Sequence, residues 1–435
     1  MSQARLLLVV LICASPVVLF FDGPIMHGIL AGVAAVGIVI VSRTMRPGET
    51  QFFLSFAKRA AMLVAIPTLW MLVQVLPLPF LAHPIWSSAE TAIGYPIRGS
   101  ISIDIGASVM ALGFYLTIVA VAFWSAAAAV DRQRAEWILF SLMTATALIG
   151  FAVAANHIFV LPYFNSKTSV FERTQGIDCV AMGVLIAAAA GIRTLERYET
   201  RRTSPGRSTS ALIRTFAACA LALVICVAVL WMSVPAGTLV AAGFGVVALA
   251  SVVLIRRLGL GSWGIAAIAL PVVAIAGFLA ASEPDLNTKG FSLAFATEAP
   301  ASQISMSQRI LGDAPLRGTG AGTFAAIASI YRDIEGQTAV FPAPTAAAAV
   351  AIELGRPMLW LIVATMAGSI YVLLRASLRR GRDSFYPTAG ASCLITLSFL
   401  SFMNVEVMGS ATAMIAAATL GLAFAQSKSR TVREQ

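Results

Sequence analysis

An all-helical protein that crosses a membrane about twelve times is the fold class this sequence predicts. Three observations carry the prediction. Of 435 residues, 59% are hydrophobic and 11% are charged, where a soluble domain carries about 25% charge. Mean hydropathy is +0.86 over the whole chain, which a water-soluble core with a polar coat does not reach. Apolar runs long enough to cross ~30 Å of hydrocarbon recur along its whole length. No internal repeat or low-complexity tract interrupts them.

The first run, 5–22, lies in "MSQARLLLVVLICASPVVLFFDG". Its basic-then-apolar order is that of a signal peptide, but it lacks a clear A-x-A site and runs into a second apolar run at 25–42. It therefore reads as a retained first span. Runs at 60–81, 106–130, 137–160, 178–193, 214–233, 237–255 and 258–281 complete nine spans within residues 1–281. The run at 178–193 is barely long enough. Residues 282–344 then form the longest polar segment. Three more runs, 345–374, 386–404 and 408–425, precede a polar tail within residues 345–435. The first of these is overlong and interrupted by "GRP" at 355–357.

Charge orients the spans. With the N-terminus inside, the inward loops and tail hold 22 of the 30 lysines and arginines. Cytoplasmic loops carry such an excess, so both termini are expected in the cytoplasm and segment 282–344 outside it. The net charge of +10 is then topological. It is spread over many short loops and forms no single stripe, so nucleic acid is not an expected partner.

The outward segment contains "RILGDAPLRGTGAGTF", residues 309–324. It has neither the lysine of a Walker loop nor the surrounding βαβ unit of a dinucleotide fold. Gly318, Gly320 and Gly322 can still turn backbone N–H groups toward an anion. The outward cations are Arg98, Lys167, Arg173, Lys289, Arg309, Arg317, Arg332 and Arg356, mostly arginine, whose planar fork suits phosphate oxygens. Asp178, Glu353 and Glu406 lie at helix ends inside apolar sequence, where an ionisable group is expensive and becomes a functional candidate. The three histidines, His27, His83 and His157, map to the outward side, and histidine suits proton transfer near neutrality. The five cysteines form no CxxC pair and sit in apolar runs. They read as buried hydrophobes, with no disulfide framework and no metal site.

Several stretches in order resemble the O-antigen ligase and polysaccharide polymerase family of bacterial membrane proteins. "QVLPLPFLAHPIW" (74–86) is similar to the family's QxxPLP…hPxW stretch, and "RTQGIDCVAMGVLIA" (173–187) to its R-x-x-G entry into a central span. "MSVPAGTLVAAGFG" (232–245) takes the place of its S-x-S-R-G-x-L turn. "SQRILGDAPLRGTGAGTF" (307–324), followed by "AIELGRP" (351–357), resembles its arginine- and glycine-rich loop leading to a terminal E-L-G. The resemblance covers about residues 60–425.

The resemblance implies a fold of the GT-C kind and glycosyl transfer at the periplasmic face of the bacterial inner membrane, without metal or other cofactor. The donor would be an undecaprenyl-diphosphate-linked glycan. The acceptor would be a glycan, or a lipid A core, whose sugar hydroxyl displaces the diphosphate with inversion. It also implies membrane lipid, a flippase and a chain-length regulator as partners. Arg173 and Arg309 match the family's arginines, and Arg317 is a third candidate for holding the diphosphate. Glu353 matches the acid of E-L-G and is assigned to positioning. The family's histidine nine residues before that acid is here Pro344, and Pro235 or Ala236 replaces the arginine of S-x-S-R-G. Either His83, His157 or an outward carboxylate takes the base role, or the chain binds glycolipid as a non-catalytic subunit of a polysaccharide assembly. A proton- or sodium-coupled transporter is a third reading. Such transporters show repeats and mid-membrane charges, which this sequence lacks.

Overall fold

The structure, a computed structural model, describes residues 2–159, 176–202, 210–233, 236–258, 299–331, 342–379 and 383–428. They form sixteen α-helices, two short 3-10 turns and no strand. The first seven helices are α1 (Ser2–Cys13), α2 (Ser15–Phe20), α3 (Pro24–Thr44), α4 (Pro47–Val75), α5 (Ile85–Ile93), α6 (Ile105–Ala128) and α7 (Arg132–Phe159). Next come α8 (Ile177–Arg202), α9 (Ser210–Ser233), α10 (Ala236–Leu258), α11 (Ala301–Asp313) and α12 (Phe324–Ile330). The last four are α13 (Ala346–Glu353), α14 (Arg356–Arg379), α15 (Phe385–Met403) and α16 (Ser410–Ser427), and the 3-10 turns are Pro79–Leu81 and Glu406–Met408.

Among the described residues, ten helical segments are long and apolar enough to cross a membrane, α1 and α2 acting together as one of them, and α16 is a shorter apolar helix. Eleven of the twelve expected runs thus have a helical counterpart. The run at 258–281 lies outside the described residues, apart from its first residue at the end of α10. Two boundaries are corrected. The overlong run 345–374 is not one span: it breaks at Gly355, whose φ of +94° is a left-handed conformation that ends a helix. Thr345 starts α13 by accepting the Ala348 N–H at 3.1 Å, and Pro357 favours a fresh helix start. The run 60–81 begins earlier, at Pro47, and ends at Val75, because Pro77 and Pro79 cannot continue the backbone ladder.

Helices α8 and α15 form the centre. Their apolar windows are 83% and 78% buried, against 17% for α4 and α6 at the periphery. Helix α8 packs on α7, α9, α10, α15 and α16. Its "AMGVLIAAAAG" run is small enough for neighbouring backbones to approach closely, which drives helix association where lipid is as apolar as leucine.

The two ends of the bundle differ in charge chemistry. At the basic end, Arg197 makes a bidentate pair with Glu136 at 2.6 and 2.8 Å, Arg193 joins the same carboxylate, and Arg132 pairs with Asp383 at 2.5 Å. Arg134 reaches Glu49 at 3.5 Å and Arg256 reaches Glu196 at 3.6 Å. The Arg–carboxylate pairs between described residues all lie at this end. The opposite end gathers the last turn of α4, the start of α6 and α8, the end of α15, and helices α11 to α13.

Candidate functional site

At that opposite end the stretch 314–323 forms a loop between α11 and α12, and its glycines have a steric cause. Gly318, Gly320 and Gly322 have φ of +79°, +113° and +73°, a region that costs an L-residue about 1–2 kcal/mol. A Cβ at Gly318 would collide with the carbonyl oxygen of Glu353, and one at Gly320 would come 2.5 Å from the Ser102 hydroxyl. Two backbones therefore lie flush, 316–318 against 353–355.

The N–H groups of residues 318–324 are spent inside the protein. Gly318 donates to Pro315 O at 2.9 Å, Thr319 to Ile352 O at 3.0 Å, Gly320 to Glu353 O at 3.0 Å and Thr323 to Gly320 O at 3.3 Å. Ala321 donates to Gln74 Oε1 at 3.2 Å. Gly322 donates to Glu353 Oε2 at 2.8 Å and Phe324 to Oε1 at 3.1 Å. The expectation that Gly318, Gly320 and Gly322 aim N–H groups at an anion is corrected accordingly. An anion beside these three glycines would have to be held by groups other than their N–H groups.

Glu353 organises this loop from within. It closes α13, is buried, and both its oxygens receive loop N–H groups. Burial pushes its carboxyl up to about 7, against the opposing pull of those two donors. Gln74, fully buried, is the second organiser, and residue type alone did not single it out. Its side-chain amide donates to Arg317 O at 3.1 Å and Glu353 O at 3.0 Å, and its backbone carbonyl accepts from Ser102 at 3.0 Å. A glutamine in the last turn of an otherwise apolar span is the signal that could have marked it. Gln74→Leu should lower stability by about 2–4 kcal/mol, since it strips partners from the buried Ala321 N–H and Arg317 carbonyl. The thermal midpoint in detergent and protease cleavage within 314–323 would register this.

The basic candidates divide. Arg309 and Arg317 are exposed, on α11 and just before the glycines. Arg356 donates from Nη2 to Leu311 O at 2.6 Å, which brings it to the last turn of the helix that carries Arg309. Gly355, its neighbour, packs against the Leu316 and Arg317 backbone. Arg317 and Arg356 thus lie close together, and Arg309 stands on the exposed face of α11. Arg173 and the His157 side chain lie outside the described residues. His83 lies on a separate element, outside α11 and the 314–323 loop. It is half-buried in the turn before α5, its Nδ1 accepts the Ile85 N–H at 3.3 Å, and burial lowers its pKa. A neutral ring bonded this way carries its proton on Nε2, so it offers a donor and no free base.

Beside α13 lies an apolar cavity of about 280 Å³, lined by Ala346, Val350, Leu359, Ile362, Phe402 and Met408 among others. Leu359 is about one helical turn from Arg356, so the cavity begins close to that arginine. Elsewhere at this end, His27 Nε2 lies 2.9 Å from Asp22 Oδ1 and 2.8 Å from Ser410 Oγ. Sequence spacing gave no hint of this Ser–His–Asp meeting. It is not a catalytic relay, which needs the hydroxyl and the carboxylate on opposite ring nitrogens. Here Asp22 bonds Ser410 directly, at 2.7 Å, and serves the start of α16. Among the described residues, no group of three or more His, Cys, Asp or Glu is placed to hold a metal ion.

The fold and this end together define a class, a multi-pass helical membrane protein with an internally bonded glycine loop at the ends of its spans. Comparison with protein families finds no family model that matches the chain, and comparison with curated proteins finds no match.

Proposed function

We propose that the protein transfers a glycan from an undecaprenyl-diphosphate carrier to an acceptor sugar hydroxyl at the periplasmic face of a bacterial inner membrane, in exopolysaccharide or O-antigen synthesis. One observation carries the reading: exposed arginines on and beside a rigidly built loop at the ends of membrane spans, with an apolar cavity starting one helical turn from Arg356. A lipid diphosphate has that duality. Its oxygens suit guanidinium forks, and its polyprenyl chain suits an apolar recess among helices. Arg309 and Arg317, with Arg173 from the preceding entry motif, are the proposed holders of the diphosphate, and Arg356 adds a further cation. Charge placed where the leaving diphosphate develops its own lowers the barrier to transfer. Glu353, Gln74 and the three glycines hold the loop in place and do not touch substrate.

Arg309→Ala and Arg317→Ala should each cut transfer by about tenfold or more, as expected for a charge-assisted hydrogen bond worth about 1.5–3 kcal/mol. Polymer length and accumulated lipid-linked repeat, compared at equal protein level, would test this. Normal polymer from both variants refutes the enzyme reading. Capture of glycolipid without transfer favours the second reading, a non-catalytic glycolipid-binding subunit. That reading draws support from buried Pro344, from the engaged oxygens of Glu353 and from the donor state of His83.

A further inference from the structure

Away from the loop, the far end of α13 meets a second polar cluster. Ala346 N–H donates to Asn404 O at 2.9 Å, so the eight residues of α13 separate this cluster from Glu353 by about 12 Å. Asp178, the second residue of α8, is 1% exposed. Its Oδ1 accepts from Asn404 Nδ2 at 3.1 Å. The remaining oxygen of each side chain, Asp178 Oδ2 and Asn404 Oδ1, is buried with no hydrogen-bond partner. Both atoms are acceptors if Asp178 is ionised, so the cluster lacks one donor.

The neighbouring groups do not supply it. Glu406, opening the 3-10 turn, is buried and brings a second carboxyl. Burial first, and Asp178 second, push the Glu406 carboxyl up to about 10. On α8 itself, Cys179 Sγ is engaged with Thr412 Oγ1 of α16 at 3.3 Å. His27 of α3 is engaged with Asp22 and Ser410. Arg193, at the basic end of α8, is paired with Glu136 of α7 and lies over the Phe140 and Phe385 rings. Cys226 of α9 and Cys393 of α15 are buried free cysteines and carry no hydrogen bond to Asp178. Among the described residues, no lysine or arginine makes an ion pair with Asp178 or Glu406.

We propose that Asp178 is a proton-binding site: a neutral carboxylic acid that accepts on Oδ1 from Asn404 Nδ2 and donates from Oδ2 to Asn404 Oδ1. One added proton converts the partnerless acceptor into a donor and closes a cyclic acid–amide pair, so both orphaned atoms are satisfied at once. A buried polar group is expensive unless hydrogen-bonded, and a buried lone charge far more so. The amino end of α8 favours an anion, but that weak, local preference opposes the removal of a carboxylate from water. The assignment does not rest on the glycosyl-transfer reading. It bears on it, because a neutral Asp178 cannot accept the proton of an attacking hydroxyl.

The test is infrared spectroscopy of the full chain in lipid nanodiscs at neutral pH, in H2O and D2O, together with thermal unfolding. The wild type minus Asp178→Asn difference should contain a deuterium-sensitive carbonyl band of a neutral carboxylic acid, distinct from the one removed by Glu406→Gln. Asp178→Asn should unfold at the wild-type midpoint, since an amide at 178 donates and accepts at the same two places, whereas Asn404→Leu should unfold earlier. Sodium chloride and choline chloride should stabilise the wild type equally. A missing acid band, or an Asp178→Asn chain that does not fold, overturns the proposal. So does a sodium-specific stabilisation lost in Asp178→Asn, which would make the occupant a metal cation.

Discussion

Glu353→Ala is expected to unlatch the glycine loop and to lower stability by about 3–5 kcal/mol. The variant leaves the Gly322 and Phe324 N–H groups without acceptors, at about 1–3 kcal/mol each for a buried orphan. It also opens a gap inside the short helix cluster of α11, α12 and α13. Glu353→Gln should fall between, because the amide keeps one acceptor oxygen but turns an NH2 donor toward an N–H donor. The sign of the pH dependence follows from the raised carboxyl. A folded value of about 7, above the unfolded value near 4.3, means that the native state binds the extra proton. The contribution is fully present below about pH 4 and is lost as pH rises through about 7, an effect on the order of 3 kcal/mol. Thermal midpoints in detergent between pH 4.5 and pH 8 should therefore decline in the wild type and stay flatter in Glu353→Gln. Equal slopes for the two proteins would contradict this account of the carboxyl.

Gly318→Ala is expected to have the second large effect, more than about 2 kcal/mol. The left-handed backbone costs an alanine about 1–2 kcal/mol, and its methyl group would overlap the Glu353 carbonyl. That carbonyl cannot retreat easily, because it already accepts from Gly320 N–H and from Gln74 Nε2. Gly312→Ala is the control. Gly312 sits inside α11 with nothing within 4 Å of an added Cβ, so alanine should be neutral or stabilising by up to about 1 kcal/mol. Melting of the two variants side by side separates a general dislike of alanine from the backbone contact. If both lose equally, the flush packing of 316–318 on 353–355 is not the reason for the glycine.

Much of the architecture was legible before any coordinates. Spans of 18 or more apolar residues leave few options, since lipid offers backbone groups no partner outside a helix or a closed barrel. The excess of arginine in alternate loops also foreshadowed the basic end, where Arg132, Arg193 and Arg197 find their acids. Legibility stopped at the break at Gly355, because composition does not distinguish one long apolar helix from two joined by a left-handed residue. It stopped also at the glycine motif. Three closely spaced glycines are compatible with a nest open to an anion and with a backbone packed against another backbone, and the spacing is the same for both.

What the sequence by itself determined is therefore the solvent of the protein, the number of its apolar segments to within one or two, and the charge asymmetry of its ends. These follow from transfer free energies summed along the chain, which depend on composition and hardly on contacts. The tertiary structure alone decided the fate of individual polar groups. It turned the N–H groups of 318–324 inward to Glu353 and Gln74, left Arg309 and Arg317 on the surface, and joined Asp178 to Asn404, 226 positions away. Hydrogen bonds act only over about 3 Å, so partners so far apart in sequence are chosen by the packing of helices.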